Sequence, residues 1–180
     1  QIRLAIWGDS QGGWKTFKKI SHGIASQNPH FSLGLGDLVN NGSQPFVYSR
    51  FLQVVSQMKA PQILVPGNHD YDGFYEDLIA KEMERHLFLP GQKRFGFQTL
   101  GSVGVLALDP NVNFPVSIPK GTEQQIWMDS ILTSETWSNL RWKVIAIHQP
   151  PYSQGWPGYH GELSIRETLE SYFHRGLIDF

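Results

Sequence analysis

Four short apolar runs in this sequence each lead into a polar residue, and this pattern restricts the folds that the chain can adopt. The runs cover residues 2–7, 31–35, 63–66 and 142–147, and the polar residues after them are Asp9, Asp37, Asn68 and His148. Their length and composition are typical of buried strands. Segments with helical spacing, at 14–27 and 44–58, separate the first three runs. This alternation predicts an α/β fold.

The third run ends in Gly67-Asn68-His69-Asp70, an unusual set of residues for the end of a buried strand. Asn has weak strand preference, and His and Asp cost free energy when they are buried unpaired. Gly67 allows a sharp turn, after which the Asn68 amide oxygen can ligate a cation and His69 can carry protons near neutral pH. Asp70 can fix the tautomer of that imidazole. The alternative is an ordinary strand-to-loop turn with polar caps.

Composition excludes several classes of partner and of metal site. The chain has 180 residues, which fits one domain with a sizeable core, so we expect a single domain over residues 1–180. Lys plus Arg number 15 and Asp plus Glu number 16, and the formal net charge is -1. Neither nucleic acid nor a membrane is therefore expected as a partner. Cysteine is absent, so a metal must use oxygen and nitrogen ligands.

Targeting features are not visible in the sequence. No apolar run reaches the roughly 20 residues that span a bilayer, and no signal peptide is visible in these 180 residues. The chain starts almost inside a strand, and residues 177–180 resemble the start of another, so we expect segments before and after it. An exported or periplasmic location follows if a leader was removed, and a cytoplasmic one otherwise. The sequence predicts neither the compartment nor the oligomeric state.

The four polar strand ends form a coherent ligand set. In open α/β sheets the ligand crevice lies beyond the carboxyl ends of the strands, so these side chains are expected at one site. Two carboxylates, one amide oxygen and one imidazole suit two divalent or trivalent ions, with one carboxylate bridging both. Without a thiolate, Fe, Mn or Zn is expected rather than a softer ion. The alternative is that each residue only caps a strand or forms a turn.

These residues also resemble a known family. Asp9 in Gly-Asp-Ser-Gln, Asp37 in Gly-Asp, the block at 67–70 and His148 after an apolar strand resemble the calcineurin-like metallophosphoesterases. The resemblance spans nearly the whole chain and keeps the family's motif order. The segment 148–152, His-Gln-Pro-Pro-Tyr, is most similar to the branch that contains purple acid phosphatases and their bacterial relatives. The family implies a two-sheet β-sandwich flanked by helices, with two metals at the strand ends.

The resemblance also implies a role for each matching position. Asp9 corresponds to a ligand of one metal and Asp37 to the bridge between the two. Asn68 and His148 correspond to ligands of the second metal.

The implied function is hydrolysis of a phosphomonoester or phosphodiester by a metal-bridging hydroxide. His69 resembles the histidine that assists the leaving group, and Asp70 resembles its orienting partner. The alternative is a non-catalytic binding module on the same fold, with weak or absent metal. The lack of basic patches argues against a nuclease.

Three positions depart from the family pattern. Gln11 occupies a position where the family often has a His ligand, and an amide oxygen is a weaker ligand than imidazole. Asn40 replaces the Tyr that ligates iron in purple acid phosphatases, so the purple colour is not expected. The closing Gly-His-x-His motif does not occur in the chain, and we expect a domain that is incomplete at its C-terminal end.

Three further residues are polar or aromatic and lie near the predicted site. Asp109 ends a strand but matches no family ligand, so we interpret it as a turn and cap residue beside Pro110. His160 and Tyr152 lie in the loop that follows His148 and are predicted to contact substrate. For His160, an ordinary surface histidine is the alternative.

Overall fold

The computed structural model describes residues 2–44, 46–71, 83, 86–87, 93–113 and 115–180. The chain divides into two compact units, Gln1–Arg94 and Phe95–Phe180. The expectation of a single domain over residues 1–180 stays a prediction. A helix expected from position 73 to about 86 lies mostly outside the described residues.

The first unit is built on a parallel sheet with strand order β1-β2-β3. The strands are β1 (Leu4–Trp7), β2 (Phe31–Leu35) and β3 (Gln62–Val65). Helix α1 (Trp14–Ser26) lies between β1 and β2 in sequence, and α2 (Val47–Val55) lies between β2 and β3. Because all pairs are parallel, the three carboxyl ends lie at one edge of this sheet.

Aromatic side chains from both helices form the core of the first unit. Phe17 of α1 and Phe51 of α2 stack with ring centroids 5.8 Å apart, and Trp7 of β1 lies 5.0 Å from Phe17. Phe17 and Phe51 are apolar positions of the helical spacing seen in the sequence, whereas two other positions of the predicted faces, Ile20 and Phe46, are exposed. This packing fixes α1 and α2 relative to the end of β1.

The second unit contains the sheet β4-β5-β6. Strands β4 (Gly96–Leu100) and β5 (Val103–Ala107) form an antiparallel hairpin, and β6 (Trp142–Ala146) pairs with β5 in parallel. The helices of this unit are α3 (Glu123–Leu132), α4 (Glu135–Ser138) and α5 (Leu163–His174). Its core contains Leu106, Met128, Trp137 and Leu169.

Residues 177–180, expected to begin a strand, are not part of the second sheet. They nevertheless follow its edge, because Ile145 N donates to the Phe180 carbonyl and Asp179 N donates to the Lys143 carbonyl. The expected α/β class with two sheets flanked by helices is confirmed. Among the described residues, no helix is long and apolar enough to cross a lipid bilayer.

Helix α3 begins directly after Thr122, which is its N-cap. The Thr122 side chain accepts a hydrogen bond from Gln125 N, and the Gln125 side chain accepts one from Gly121 N at 2.9 Å. These contacts satisfy amide groups that have no partner within the helix.

Replacing Thr122 with Ala should lower the free energy of unfolding by about 1 kcal/mol, because one amide of the first turn loses its acceptor. Urea unfolding of both proteins measures the difference. Thr122→Ser keeps the hydroxyl and should unfold close to the wild type. Equal losses in the two variants would contradict the capping role.

Candidate metal centre

The loops after β1 and β2 hold their polar residues in an uncommon backbone conformation. Asp9, Gln11 and Asp37 have φ angles of 52°, 32° and 49°. Positive φ is uncommon for residues other than glycine, although Asp tolerates it better than most. Such conformations concentrate at functional sites, where the surrounding structure holds them in place.

Hydrogen bonds between the two loops hold these conformations. Asp9 N donates to the Gly36 carbonyl at 3.1 Å, and Gln11 N donates to the Asp37 carbonyl at 3.0 Å. The buried Ser10 hydroxyl donates to the Leu38 carbonyl at 2.7 Å. The two loops therefore form one connected unit beyond the ends of the strands.

The carboxylates of Asp9 and Asp37 lie close together at this edge of the sheet. A carboxylate oxygen of Asp9 and a carboxylate oxygen of Asp37 lie within 4.8 Å of each other. Asp9 is exposed, whereas Asp37 is 3% exposed. Two like charges at this distance repel each other, and a cation bound to both would remove that repulsion. Since hard and borderline cations prefer oxygen ligands, the pair fits such an ion.

Asp37 is oriented by donors on both of its oxygens. Its Oδ1 accepts a hydrogen bond from His69 N at 2.9 Å, and its Oδ2 accepts one from Gln11 Nε2 at 2.5 Å. Hydrogen bonds to a charged acceptor are stronger than neutral ones, so the carboxylate is held firmly. Gln11 thus contacts the expected bridging residue, and its amide oxygen is not used in this contact.

The block 67–70 reaches Asp37 through a close backbone approach. Asn68–Asp70 form a 3₁₀ turn, and Asn68 is half-buried. The φ of Gly67 is -106°, which other residues also adopt, so its conformation alone does not require glycine. A Cβ atom there would lie 2.3 Å from both Asp37 N and Asp37 Oδ1. Glycine is therefore needed for space and not for the sharp turn that the sequence suggested.

Asp70 is fully buried and ties three segments together. Its Oδ2 accepts hydrogen bonds from Gly67 N at 2.8 Å and Leu38 N at 3.2 Å, and its Oδ1 accepts one from the Tyr48 hydroxyl at 3.0 Å. Burial raises the pKa of Asp70 to about 7, although these three donors act in the opposite direction. Burial also raises the pKa of the Tyr48 hydroxyl, and the nearby Asp70 raises it further.

The His69 ring is oriented by a backbone group. Its Nδ1 lies 2.9 Å from the carbonyl oxygen of Asn40, and its Nε2 lies 4.0 Å from Asp37 Oδ2. The ring was expected to be oriented by Asp70, but Asp70 contacts Tyr48 and backbone amides instead. The side chain is 41% exposed, so a ligand can reach it from solvent.

The remaining predicted site residues belong to the second unit. His148 is half-buried and lies two residues beyond the end of β6. Tyr152 is exposed, and its hydroxyl donates to Glu170 Oε1 at 3.3 Å. The exposed His160 accepts hydrogen bonds through its backbone carbonyl from Ser153 N and Arg166.

Arg166 of α5 holds the loop that carries Tyr152 and His160. Its Nε donates to the Pro151 carbonyl at 3.1 Å, one terminal nitrogen donates to the His160 carbonyl at 2.8 Å, and the guanidinium lies 4.3 Å from the Tyr152 ring centroid. This loop is therefore anchored to a helix at several points. The imidazole of His160 takes no part in these contacts.

The sequence did not predict the contacts that three residues make in this region: Ser10, Asn40 and Tyr48. Asn40 acts through its backbone, which leaves no signal in sequence. Tyr48 could have been found, because it lies on the buried face of α2 and a buried tyrosine hydroxyl requires a partner.

Gly67→Ala should destabilise the protein by about 1–3 kcal/mol, because the added methyl group meets backbone and carboxylate atoms of Asp37 that cannot move independently. Urea unfolding measures the loss. Gly96→Ala is the matched control, since nothing lies within 4 Å of a Cβ atom at that position. It should change stability by less than about 0.5 kcal/mol. A Gly67→Ala protein as stable as this control would contradict the close approach.

Comparisons with known proteins identify the fold and the family of the chain. The crystal structure of TT1561 of Thermus thermophilus is similar in fold, with a TM-score of 0.59 and 16% sequence identity over 96% of this chain and 79% of that one. No curated protein sequence matches the chain significantly. Residues 2–178 match the profile of the family described as calcineurin-like phosphoesterase. Since that match covers nearly every residue, the chain belongs to the calcineurin-like phosphoesterase family.

Proposed function

We propose that this protein hydrolyses a phosphomonoester or phosphodiester with two bound metal ions, of which Fe, Mn and Zn fit the ligands best. The observation that carries the proposal is the pair of carboxylates, Asp9 and Asp37, with oxygens within 4.8 Å of each other at the strand ends. Family membership supports metal-dependent phosphoester chemistry. A phosphate ester is accordingly the proposed partner.

The proposed ligands come from the residues that the sequence singled out: Asp9, Gln11, Asp37, Asn68 and His148. Asp37 is the proposed bridge, because each of its oxygens has its own hydrogen-bond donor: Gln11 Nε2 for Oδ2 and His69 N for Oδ1. When bound, such a pair of ions supplies Lewis acidity and makes water nucleophilic near neutral pH. Oxygen and imidazole donors without thiolate match the ions proposed.

His69 is proposed to stabilise or protonate the leaving oxygen of the ester. If the imidazole proton is on Nδ1, that nitrogen donates to the Asn40 carbonyl. Gain of a second proton then makes Nε2 a donor on the side of Asp37. The contact to Asn40 holds the ring, and partial exposure leaves it accessible to substrate. Asp70 is proposed to act indirectly, by fixing the backbone of the turn that carries His69.

Tyr152 and His160 are proposed as substrate contacts. The anchoring of their loop by Arg166 supports this, because a fixed loop can hold a contact at lower entropic cost than a mobile one. Placement in the purple acid phosphatase-like branch is also part of the proposal and rests on the sequence of residues 148–152.

A binding module without catalysis is the second candidate. It is favoured by Gln11, which replaces a common family histidine and donates to Asp37. Metal analysis combined with assays on p-nitrophenyl phosphate and bis(p-nitrophenyl) phosphate separates the two candidates. Two bound metals with turnover of either ester support the enzyme. Two bound metals with no turnover of any ester support the binding module.

His69→Ala should lower kcat by about 10²–10⁴-fold, because the leaving group loses its proton donor. Metal content should stay near the wild-type value, since the imidazole is not among the proposed ligands. Steady-state kinetics and elemental analysis of the same preparation measure both quantities. His22→Ala, which removes an exposed histidine of α1, is the control and should leave both unchanged. Full activity in His69→Ala would refute the proposed role.

Asp37→Asn should weaken Mn²⁺ binding by at least about tenfold, because a neutral amide replaces the proposed bridging carboxylate. Asn tolerates positive φ, so the backbone should be preserved. Calorimetric titration of metal-stripped protein measures the affinity. Glu167→Gln removes one exposed charge in the second unit and serves as the control. Equal affinities in the two variants would exclude Asp37 as a ligand.

A further inference from the structure

Four buried polar side chains form a network where β5 and β6 of the second unit end. Asp109 and Asn111 follow β5, Gln149 follows β6, and Gln124 belongs to α3. All four are at most 7% exposed. Buried polar groups are costly unless they are hydrogen-bonded, so the contacts within this network need an explanation.

The first half of the network joins α3 to the end of β5. Gln124 Nε2 donates to the Asp109 carbonyl at 2.7 Å, and Asp109 N donates to Gln124 Oε1 at 2.7 Å. Asp109 Oδ1 accepts hydrogen bonds from Asn111 N at 3.0 Å and from Asn111 Nδ2 at 2.9 Å. The turn role that the sequence predicted for Asp109 is confirmed, and its carboxylate holds both the backbone and the side chain of Asn111.

The second half joins Asn111 to the end of β6. Gln149 Nε2 donates to Asn111 Oδ1 at 2.5 Å, across 38 residues of sequence. The backbone link between the strands, from Leu108 N to the Ala146 carbonyl at 2.9 Å, lies three residues before Gln149. The side-chain bond therefore extends the connection between β5 and β6 past His148.

The presence of glutamine at position 149 is not explained by its contribution to stability alone. Its Oε1 is buried and has no hydrogen-bond partner among the described residues. An unsatisfied buried acceptor lowers stability, and a methionine of similar length would avoid that cost. The amide does, however, fix the chain directly after His148.

We propose that Asn111 and Gln149 are positioning residues that hold the backbone at His148, so that its imidazole is presented as a metal ligand. The inference rests on the proposed ligand role of His148. Groups that orient metal ligands typically change metal affinity by about 10–100-fold when they are removed. The network gives His148 a rigid support through Gln149, Asn111 and Asp109, which in turn is fixed by Gln124 of α3.

The test is Gln149→Met, which keeps the side-chain length and removes the bond to Asn111. Mn²⁺ affinity should fall about 10–100-fold. Amide hydrogen exchange at residues 147–149 of the metal-free protein should become faster, and the melting temperature should change little. Asn111→Ala removes the same bond from the other side and should also lower Mn²⁺ affinity and speed exchange at residues 147–149. This second variant tests the proposal even if Gln149→Met does not fold.

Gln57→Met is the matched control. Gln57 also has a buried amide oxygen without a partner among the described residues, but it lies in the first unit, in a 3₁₀ turn that carries no proposed ligand. It should alter neither Mn²⁺ affinity nor exchange at 147–149. Equal losses of affinity in both variants, or faster exchange with unchanged affinity in Gln149→Met, would overturn the proposal.

Failure of the proposed function gives a different result. A wild-type protein that binds no Mn²⁺, Zn²⁺ or Fe²⁺ would refute the metal centre. The exchange measurement still tests the support of residues 147–149 in that case, since it is made without metal. Unchanged exchange in both Gln149→Met and Asn111→Ala would then overturn the positioning role itself.

Discussion

The close approach of Gly67 to Asp37 is the contact on which the polar strand ends of the first unit depend. With no side chain at Gly67, the turn after β3 comes near enough for His69 N to bind Asp37. On the opposite side of the same turn, Asp70 accepts the amides of Gly67 and Leu38. The turns after β2 and β3 are thus joined by one carboxylate from each, since Asp37 accepts from His69 N and Asp70 accepts from Leu38 N, and a shift of either turn would disturb both bonds.

The two carboxylates differ because their surroundings differ. Asp70 is buried and accepts three hydrogen bonds, and its burial raises its pKa. These contacts give Asp70 a structural role, because they join the turn after β3 to Leu38 and Tyr48. Asp37 is also buried, yet one of its oxygens lies within 4.8 Å of an oxygen of the exposed Asp9, and a donor is bound to each oxygen of Asp37. Similar side chains in neighbouring loops thus differ in role: Asp70 is structural, and Asp37 is the residue for which we propose metal binding.

Features with a local cause could be predicted from the sequence. The apolar runs predicted the strands that lead into the polar residues, and the helical spacing at 14–27 and 44–58 predicted α1 and α2, with Phe17 and Phe51 on their buried sides. Contacts made by the backbone could not be predicted, because the Asn40 carbonyl beside His69 does not depend on the identity of residue 40. Pairs far apart in sequence, such as Asn111 and Gln149, require the fold to be known. The reason predicted for glycine at position 67 was also wrong, because the close approach of Asp37, and not a sharp turn of the backbone, leaves no space for a side chain there.

Gln11 gives the first unit a property that a histidine there would not. An imidazole at this position would gain a proton in mildly acidic solution and would change from a neutral to a cationic neighbour of Asp37. A carboxamide has no such transition, so the hydrogen bond from Gln11 Nε2 to Asp37 Oδ2 keeps the same donor and the same charge from acid to alkaline solution. Acidification therefore changes neither the donor nor the charge that Gln11 presents to Asp37.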